Sequence, residues 1–231
     1  MSYSLVSLDL DGTLVDTAAE IAEAAGRALE EHGLKRPPVP EIVSFIGMGT
    51  RELIRQLVFG IVGDELPWAA TVSLPAVQAS MDRHYAITTG TSAVPYPRAR
   101  EALERFRAAG VALACVTNKE SRHAHRVLEV TGLSEYFALV IGGDTLPIKK
   151  PDPGVLGYVI ETLGGTAART AHVGDSRIDI EAARNAGVAA WAVPYGYNGG
   201  RPIAEANPDR IFENLGAVAD HVLGAPVAAT G

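Results

Sequence analysis

Cysteine, aromatic residues and long apolar runs are scarce in this 231-residue sequence. The single cysteine, Cys115, cannot form an internal disulfide, which excludes a small secreted fold held together by disulfides. No apolar run approaches the ~20 residues of a membrane-spanning helix. The first residues, MSYSLVSLDLDG, lack the basic segment and the apolar core of a signal peptide. We therefore expect a cytoplasmic protein with no membrane partner.

Basic residues are also in the minority. The 20 Lys and Arg residues against 27 Asp and Glu residues leave a net charge of −7 with His neutral. Because an acidic chain without a basic run is repelled by a phosphate backbone, we expect no nucleic-acid partner. The apolar fraction of 47% is ordinary for a globular protein, and the length allows one large or two small domains. The oligomeric state, monomer or homodimer, stays open.

What the sequence does contain is an alternation of short apolar strands and helical patterns. Strands are predicted at 4–10, 111–117, 137–143, 169–175 and 188–193, with a short one near 210–213 and helices between them. Strands that are apolar nearly throughout and alternate with helices are typical of a parallel sheet covered on both faces. We predict an α/β fold with a Rossmann-like, doubly wound parallel sheet as its core.

One helical stretch interrupts this alternation after the first strand. Residues 18–33 have a helical pattern, with Thr17 and Glu20 at capping-box spacing before it and Gly33 as its stop. Further helical pieces follow over 41–87, and a turn-rich segment at 88–97 closes the stretch. We predict a small α-helical cap domain, residues 16–92, inserted into a core of residues 1–15 and 93–231.

Polar side chains follow the predicted strands where ligands bind in such sheets. Each position alone is equally typical of a turn, a helix cap or a solvated loop. Together they combine carboxylates, which suit Mg²⁺, with hydroxyl and lysine groups, which suit phosphate. The positions are Asp9, Asp11, Thr117, Asn118, Lys150, Asp175, Ser176 and Asp179.

Four segments carry a resemblance to a known family. DLDGT (9–13), TN (117–118), KKPDP (149–153) and GDSRID (174–179) resemble, in this order, the four motifs of the haloacid dehalogenase superfamily. The longer segments GGDTLPIKKPDP (142–153), GDSRIDIEAARNAG (174–187) and YGYNGGRPI (195–203) are similar to bacterial phosphoglycolate phosphatases. The resemblance runs over nearly the whole chain and implies a phosphatase.

The resemblance implies a reaction at the first motif. Asp9 would be the nucleophile that forms an aspartyl-phosphate, and Asp11 would be the general acid and base. Mg²⁺ would be held by the Asp9 carboxylate, the Asp11 backbone carbonyl and Asp175. An acid at position 11 favours a phosphatase or a mutase over a dehalogenase, because a dehalogenase has no leaving alkoxide to protonate.

The other motifs are implied to bind the phosphoryl group. Thr117, the backbone of Asn118 and Lys150 would hold its oxygens. Asp179, with Ser176 beside it, would orient Lys150 or the waters on the metal. Lys119 lies next to this group in the sequence; contact with the substrate is one alternative, but we expect Lys119 on the surface.

The cap is implied to select the substrate. In FIGMGTR (45–51), Gly47 and Gly49 would allow close approach to the site. Arg51 would contact a substrate carboxylate, although a solvated arginine is equally expected. The chain has Pro97, Arg98 and Ala99 where the family commonly has Pro-Gly-Val, so we expect a shifted turn there.

The sequence therefore predicts a magnesium-dependent hydrolase of small phosphate monoesters, with 2-phosphoglycolate as the substrate that the resemblance favours. Three alternatives stay open. They are a phosphatase for another small substrate such as a sugar phosphate or pyrophosphate, a mutase similar to β-phosphoglucomutase, and a non-catalytic phosphate-binding protein.

Overall fold

The computed structural model describes residues 3–62 and 72–224. Its main sheet has six strands, all paired in parallel, and it confirms the predicted α/β fold class. The strands are β1 (Leu5–Leu8), β4 (Ala112–Val116), β5 (Leu139–Ile141), β6 (Thr170–Gly174), β7 (Ala189–Ala192) and β8 (Arg210–Ile211). Their order across the sheet is β5-β4-β1-β6-β7-β8, so β1 lies inside the sheet between β4 and β6. The short strands β2 (Val15–Asp16) and β3 (Val94–Pro95) form a separate antiparallel pair.

Helices cover both faces of the main sheet. They are α5 (Ala99–Ala108), α6 (Ser121–Val130), α7 (Pro153–Thr162), α8 (Arg177–Asn185) and α9 (Leu215–Leu223). Because side chains alternate along a strand, Val6 and Leu8 pack in one apolar cluster with Phe106 of α5. Leu5 packs in a second cluster with Ile180 of α8. Over the described residues, no helix is both long and apolar enough to cross a bilayer.

Over the described residues of the segment between β2 and β3, four helices form a separate layer. They are α1 (Ala18–Glu31), α2 (Val39–Val43), α3 (Thr50–Val62) and α4 (Leu74–Thr88). Leu29 of α1, Ile54 of α3 and Met81 of α4 meet in an apolar cluster of their own. Residues 63–71 of the predicted helical pieces lie outside the described residues. The cap boundaries at 16 and 92 stay a prediction.

The capping box predicted at the start of α1 is wrong. The Thr17 hydroxyl donates to Asp11 Oδ1 at 2.6 Å instead of capping the helix. The Glu20 carboxylate accepts from the backbone N–H of Gly90 at 2.9 Å, across the cap. Thr17 therefore binds a nearby carboxylate and Glu20 binds a backbone donor 70 residues away, because charge-assisted hydrogen bonds are stronger than neutral ones. The predicted stop is found, since Gly33 follows α1 with a φ of 71°.

The turn before α5 forms without glycine. Arg98 itself adopts a φ of 64°, in the left-handed region that costs a residue with a Cβ about 1–2 kcal/mol. Its guanidinium donates to both carboxylate oxygens of Glu101, at 3.1 and 2.9 Å. The turn therefore keeps a conformation typical of glycine, and α5 begins at the next residue.

Candidate active site

Three adjacent strands of the sheet end at the same level. Leu8 of β1 pairs with Cys115 of β4 on one side and with Val173 of β6 on the other. The residues that follow these strands therefore meet at one edge. Asp9 continues the ladder briefly, because its N–H donates to the Val173 carbonyl at 2.9 Å.

A cluster of three buried carboxylates lies at this edge. Oxygens of Asp9, Asp175 and Asp179 are all within 4.8 Å of one another. Burial raises the pKa of Asp9 to about 6 and holds the pKa of Asp175 well above its usual range. Neighbouring carboxylates add to both shifts by repulsion. A divalent cation between Asp9 and Asp175 would reverse these shifts, so the pair has the chemistry of a hard-cation site.

Lys150 carries the positive charge of the cluster. Its Nζ lies 2.6 Å from Asp179 Oδ1, 2.9 Å from Asp9 Oδ1 and 2.6 Å from the Val116 carbonyl oxygen. Burial opposes the charge on this lysine, but the two carboxylates outweigh burial and raise its pKa above its usual range. Two of the three donors of this ammonium make hydrogen bonds, to Asp179 Oδ1 and to the Val116 carbonyl, while Asp9 Oδ1 lies within ion-pair distance.

Asp179 is held by groups from two elements. Its Oδ2 accepts from the N–H of Ser176 at 3.1 Å and from the Ser176 hydroxyl at 2.6 Å, which makes a capping box at the start of α8. Its Oδ1 also lies 3.2 Å from Nε2 of His172. Burial opposes ionisation of Asp179, but Lys150 and His172 lower its pKa below its usual range. His172 is fully buried in β6.

The carboxylate of Asp175 lies in a tight cradle. Thr13 donates its hydroxyl to Oδ1 at 2.9 Å, and the N–H of Tyr197 donates to Oδ2. A Cβ on Gly12 would come within 2.4 Å of Oδ2, and one on Gly196 within 2.2 Å. Gly12 also has a φ of 84°, which only glycine adopts without strain. Both glycines therefore let the backbone surround this carboxylate.

Asp11 forms a second ion pair beside the first. Its Oδ1 accepts from Lys119 Nζ at 2.5 Å and from the Thr17 hydroxyl at 2.6 Å. The expected surface position of Lys119 is wrong, because only 2% of its side chain is exposed. Its place directly after Asn118, at the end of β4, is a signal that could have found it.

The second motif connects the sheet to the cap. Thr117 is buried, and its hydroxyl accepts from the N–H of Lys119 at 3.2 Å. The Asn118 amide donates to the carbonyl of Gly47 at 3.1 Å and to that of Lys150 at 3.0 Å. The loop before α3 therefore lies directly over the end of β4.

The cap residues predicted by the sequence occupy two different places. Gly47 and Gly49 line a cavity of about 30 Å³ together with Asp9 and Asp11. Arg51 is exposed and lines a neighbouring cavity of about 500 Å³. Both cavities include Gly49 and Asn118 in their walls, so the two cavities adjoin at this contact.

Two further contacts across the same boundary were not predicted. Lys149 Nζ donates to the carbonyl of Met48 at 2.7 Å, and the Thr50 hydroxyl donates to the carboxylate of Glu120. Neither pair has a sequence signal, because each joins residues far apart in the chain. The loop at 47–50 is thus fastened to the sheet by several separate hydrogen bonds.

Comparison with known proteins follows this geometry. Residues 6–193 match the family described as haloacid dehalogenase-like hydrolase. The chain is 38% identical over 214 residues to the phosphoglycolate phosphatase of Thiobacillus denitrificans, covering 93% of both chains. It is 39% identical over 216 residues to that of Pseudomonas savastanoi, covering 91% of this chain and 76% of the relative.

A solved structure agrees in fold with these relatives. A predicted phosphoglycolate phosphatase from Haemophilus somnus superposes with a TM-score of 0.88 at 30% identity, covering 98% of this chain and 99% of that one. The family match spans the strands that carry the acidic cluster and Lys150. The chain belongs to the haloacid dehalogenase-like hydrolase family, and within it to the phosphatases.

Proposed function

We propose that this protein hydrolyses 2-phosphoglycolate, with Mg²⁺, through an aspartyl-phosphate on Asp9. The observation that carries the proposal is the buried group of Asp9, Asp175, Asp179 and Lys150 next to a small covered cavity. Relatives named phosphoglycolate phosphatase at 38–39% identity support the choice of substrate. A cytoplasmic location stays a prediction of the sequence.

The donor set fits magnesium. Of the three carboxylates, Asp179 makes the shortest contact with Lys150. Asp9 and Asp175 are therefore the two carboxylates available to a cation. Mg²⁺ prefers one or two protein carboxylates and keeps the remaining positions for water and phosphate oxygens. Asp9, the backbone carbonyl of Asp11 and Asp175 are the proposed ligands. When bound, the ion neutralises charge on the phosphoryl group and on the attacking carboxylate.

The proposed reaction has two steps. A carboxylate oxygen of Asp9 attacks phosphorus, and the bond from phosphorus to the leaving oxygen breaks while Asp11 donates a proton to that oxygen. Asp11 then accepts a proton from the water that attacks the aspartyl-phosphate, which releases phosphate and restores Asp9. Thr117, the N–H of Asn118 and the charge of Lys150 hold the phosphoryl oxygens.

The lining of the cavity favours a small leaving group. Apolar cap side chains of Ile21, Ile46 and Leu53 face the catalytic residues across it. A two-carbon acid presents few hydroxyl groups that these apolar walls would leave without hydrogen bonds, whereas a sugar presents several. The cap side chains over the cavity also exclude water from the phosphoryl group while the aspartyl-phosphate forms.

The test is phosphate release with Mg²⁺ from 2-phosphoglycolate, two sugar phosphates and pyrophosphate, measured side by side. We expect kcat/KM to be highest for 2-phosphoglycolate. The Asp9→Asn variant, purified in the same way, measures release by contaminating phosphatases. A higher kcat/KM for a sugar phosphate would overturn the substrate. Absence of release, with isomerisation of a sugar phosphate that needs a phosphorylated activator, would establish the mutase instead.

A further inference from the structure

Lys119 is a buried cation whose hydrogen-bonding capacity is only partly used. It lines the cavity above Asp9 and is 4% exposed. Among the described residues, its Nζ has one hydrogen-bond acceptor, Asp11 Oδ1 at 2.5 Å. The Nζ also lies 5.2 Å from the centre of the Tyr85 ring. Lys150 donates hydrogen bonds to two oxygens and lies within ion-pair distance of two carboxylates, whereas Lys119 has that one acceptor and keeps donors for a ligand.

The surroundings of Lys119 select a small anion. The same cavity is walled by the apolar side chains of Ile21, Ile46 and Leu53, which offer no hydrogen bonds to a ligand. The Tyr85 hydroxyl is buried there and has no hydrogen-bond partner among the described residues. One donor of Lys119 holds Asp11, and its remaining donors, buried away from water, bind an anionic group more strongly than they would in water.

The two lysines lie beside the two catalytic aspartates. Lys150 contacts Asp9, where phosphorus is attacked, and Lys119 contacts Asp11, where the leaving oxygen is protonated. In a phosphorylated α-hydroxy acid, one carbon separates the leaving oxygen from the carboxylate. A ligand with its phosphoryl group at Asp9 therefore brings its carboxylate to the neighbourhood of Lys119.

Other cations near the cap are placed less favourably. Arg51, Arg122 and Lys149 line the second cavity, whose walls do not include Asp9 or Asp11. All three are exposed, and Lys149 also donates to the Met48 carbonyl at 2.7 Å. The carboxylate contact that the sequence assigned to Arg51 is therefore better made by Lys119.

We propose that Lys119 binds the carboxylate of the leaving group and selects phosphate esters of small α-hydroxy acids. This proposal rests on the proposed function and deepens it. The buried ammonium donates to the carboxylate oxygens, while apolar walls limit the length of the acid. Neutral esters of equal size lack the anion that pairs with this ammonium.

The test compares 2-phosphoglycolate with 2-hydroxyethyl phosphate, in which a hydroxymethyl group replaces the carboxylate. We expect the ratio of kcat/KM values to favour 2-phosphoglycolate in the wild type and to fall about 10- to 100-fold in Lys119→Met and Lys119→Gln. Any effect of these changes on Asp11 as an acid slows both substrates and cancels in the ratio. Lys119→Arg keeps the charge and should keep most of the preference, and Lys35→Met, at an exposed lysine, should keep all of it.

The contrary outcomes are distinct. An unchanged ratio in both neutral Lys119 variants, with the preference retained, overturns the role of Lys119 but leaves the proposed function intact. Loss of the preference in Arg51→Met alone assigns the carboxylate to Arg51. A wild type that releases phosphate without preferring 2-phosphoglycolate overturns the proposed substrate and the role of Lys119 together.

Glycolate binding, measured by titration calorimetry, gives a second readout that needs no turnover. We expect glycolate to bind the wild type and Lys35→Met alike and to bind Lys119→Met at least about 10-fold more weakly. Equal glycolate affinity in the wild type and Lys119→Met would overturn the proposal even if a variant were inactive. Thermal melting of each variant separates a lost contact from a lost fold.

Discussion

The edge of the sheet and the cap hold their charged side chains in opposite environments. The side chains of Lys150 and Asp179 are 2% and 1% exposed, and each has further polar partners. In the cap, Arg55 and Glu52 form their ion pair with 46% and 24% of their side chains exposed. The cap interior is mostly apolar instead, with Leu29 and Ile54 fully buried, and Glu20 of α1 is an exception as a buried carboxylate.

This difference distinguishes the charged groups that the reaction needs from the apolar side chains that stabilise the fold. A buried ion pair adds little net stability, because desolvation offsets most of the attraction between its charges. The charges at the sheet edge are therefore explained by the reaction, which needs a fixed nucleophile and a fixed cation. The cap folds by burying apolar side chains and meets the edge through backbone carbonyls such as those of Gly47 and Met48.

The largest effect is expected from Asp9→Asn at the sheet edge. The amide cannot attack phosphorus, so kcat for phosphate release should fall by at least about 10³-fold. The fold should persist, because burial already raises the pKa of Asp9 and a neutral group is tolerated there. Turnover and the thermal midpoint are measured together. Activity above a few per cent of the wild type would show that Asp9 is not the nucleophile.

Removing the partner of Lys150 tests the cost of a buried charge. Asp179→Ala leaves Lys150 with one carboxylate and should lower the free energy of unfolding by about 3–5 kcal/mol at pH 7. Because Lys150 and His172 hold the pKa of Asp179 below its unfolded value, this contribution is present above pH ~3.9 and is lost as the pH falls further.

Urea unfolding at pH 7 and at pH 5 measures that contribution. The wild type should be the more stable at both values, and the size of the difference depends on pH because Asp179 helps to raise the pKa of Asp9 to about 6. Glu161→Ala, at an exposed acid of α7, is the matched control and should change stability by less than about 0.5 kcal/mol. Equal effects of the two substitutions would contradict the contrast between buried and exposed charge.

Gly49 tests the contact between the cap and the edge. It has a φ of 90°, and an added Cβ would lie 3.0 Å from the Asn118 carbonyl oxygen. Gly49→Ala should displace the loop over the site and lower kcat/KM by about 10-fold. Gly60→Ala, in α3 with open space around it, should leave kcat/KM unchanged and raise stability by about 0.5–1 kcal/mol. Steady-state kinetics of both variants are the measurement. An unchanged kcat/KM in Gly49→Ala would show that the loop tolerates the added Cβ and would contradict the prediction.

The smallest effect is expected from Glu52→Gln in the cap. Its hydrogen bonds to Arg55 lower the pKa of Glu52 to about 2. The pair therefore contributes above pH 4.5, the ordinary value for this group, and the contribution is lost as the pH falls towards 2. Since the pair is exposed, Glu52→Gln should cost no more than about 0.5 kcal/mol at neutral pH. A cost of 2 kcal/mol or more in urea unfolding would contradict this.

The sequence alone was sufficient for the sheet and for most of its polar edge. Apolar strands that alternate with helices can only bury both faces as a parallel sheet, and their carboxyl ends then share one edge. Asp9, Thr117 and Asp175 could be grouped for that reason, although they are far apart in the chain. Gly33 marked the end of α1 because glycine enters the left-handed conformation without strain.

Only the tertiary structure decided which polar side chains point towards the active site. Lys119 points at Asp11, 108 residues away in the chain, and Thr17 donates to the same carboxylate instead of capping α1. Arg51 lines the second cavity, whose walls do not include Asp9 or Asp11. The local sequence pattern determines where a residue lies along a strand or helix. The direction of a polar side chain depends on charged groups that only folding brings near it. These charged groups attract the side chain strongly because water is excluded between them.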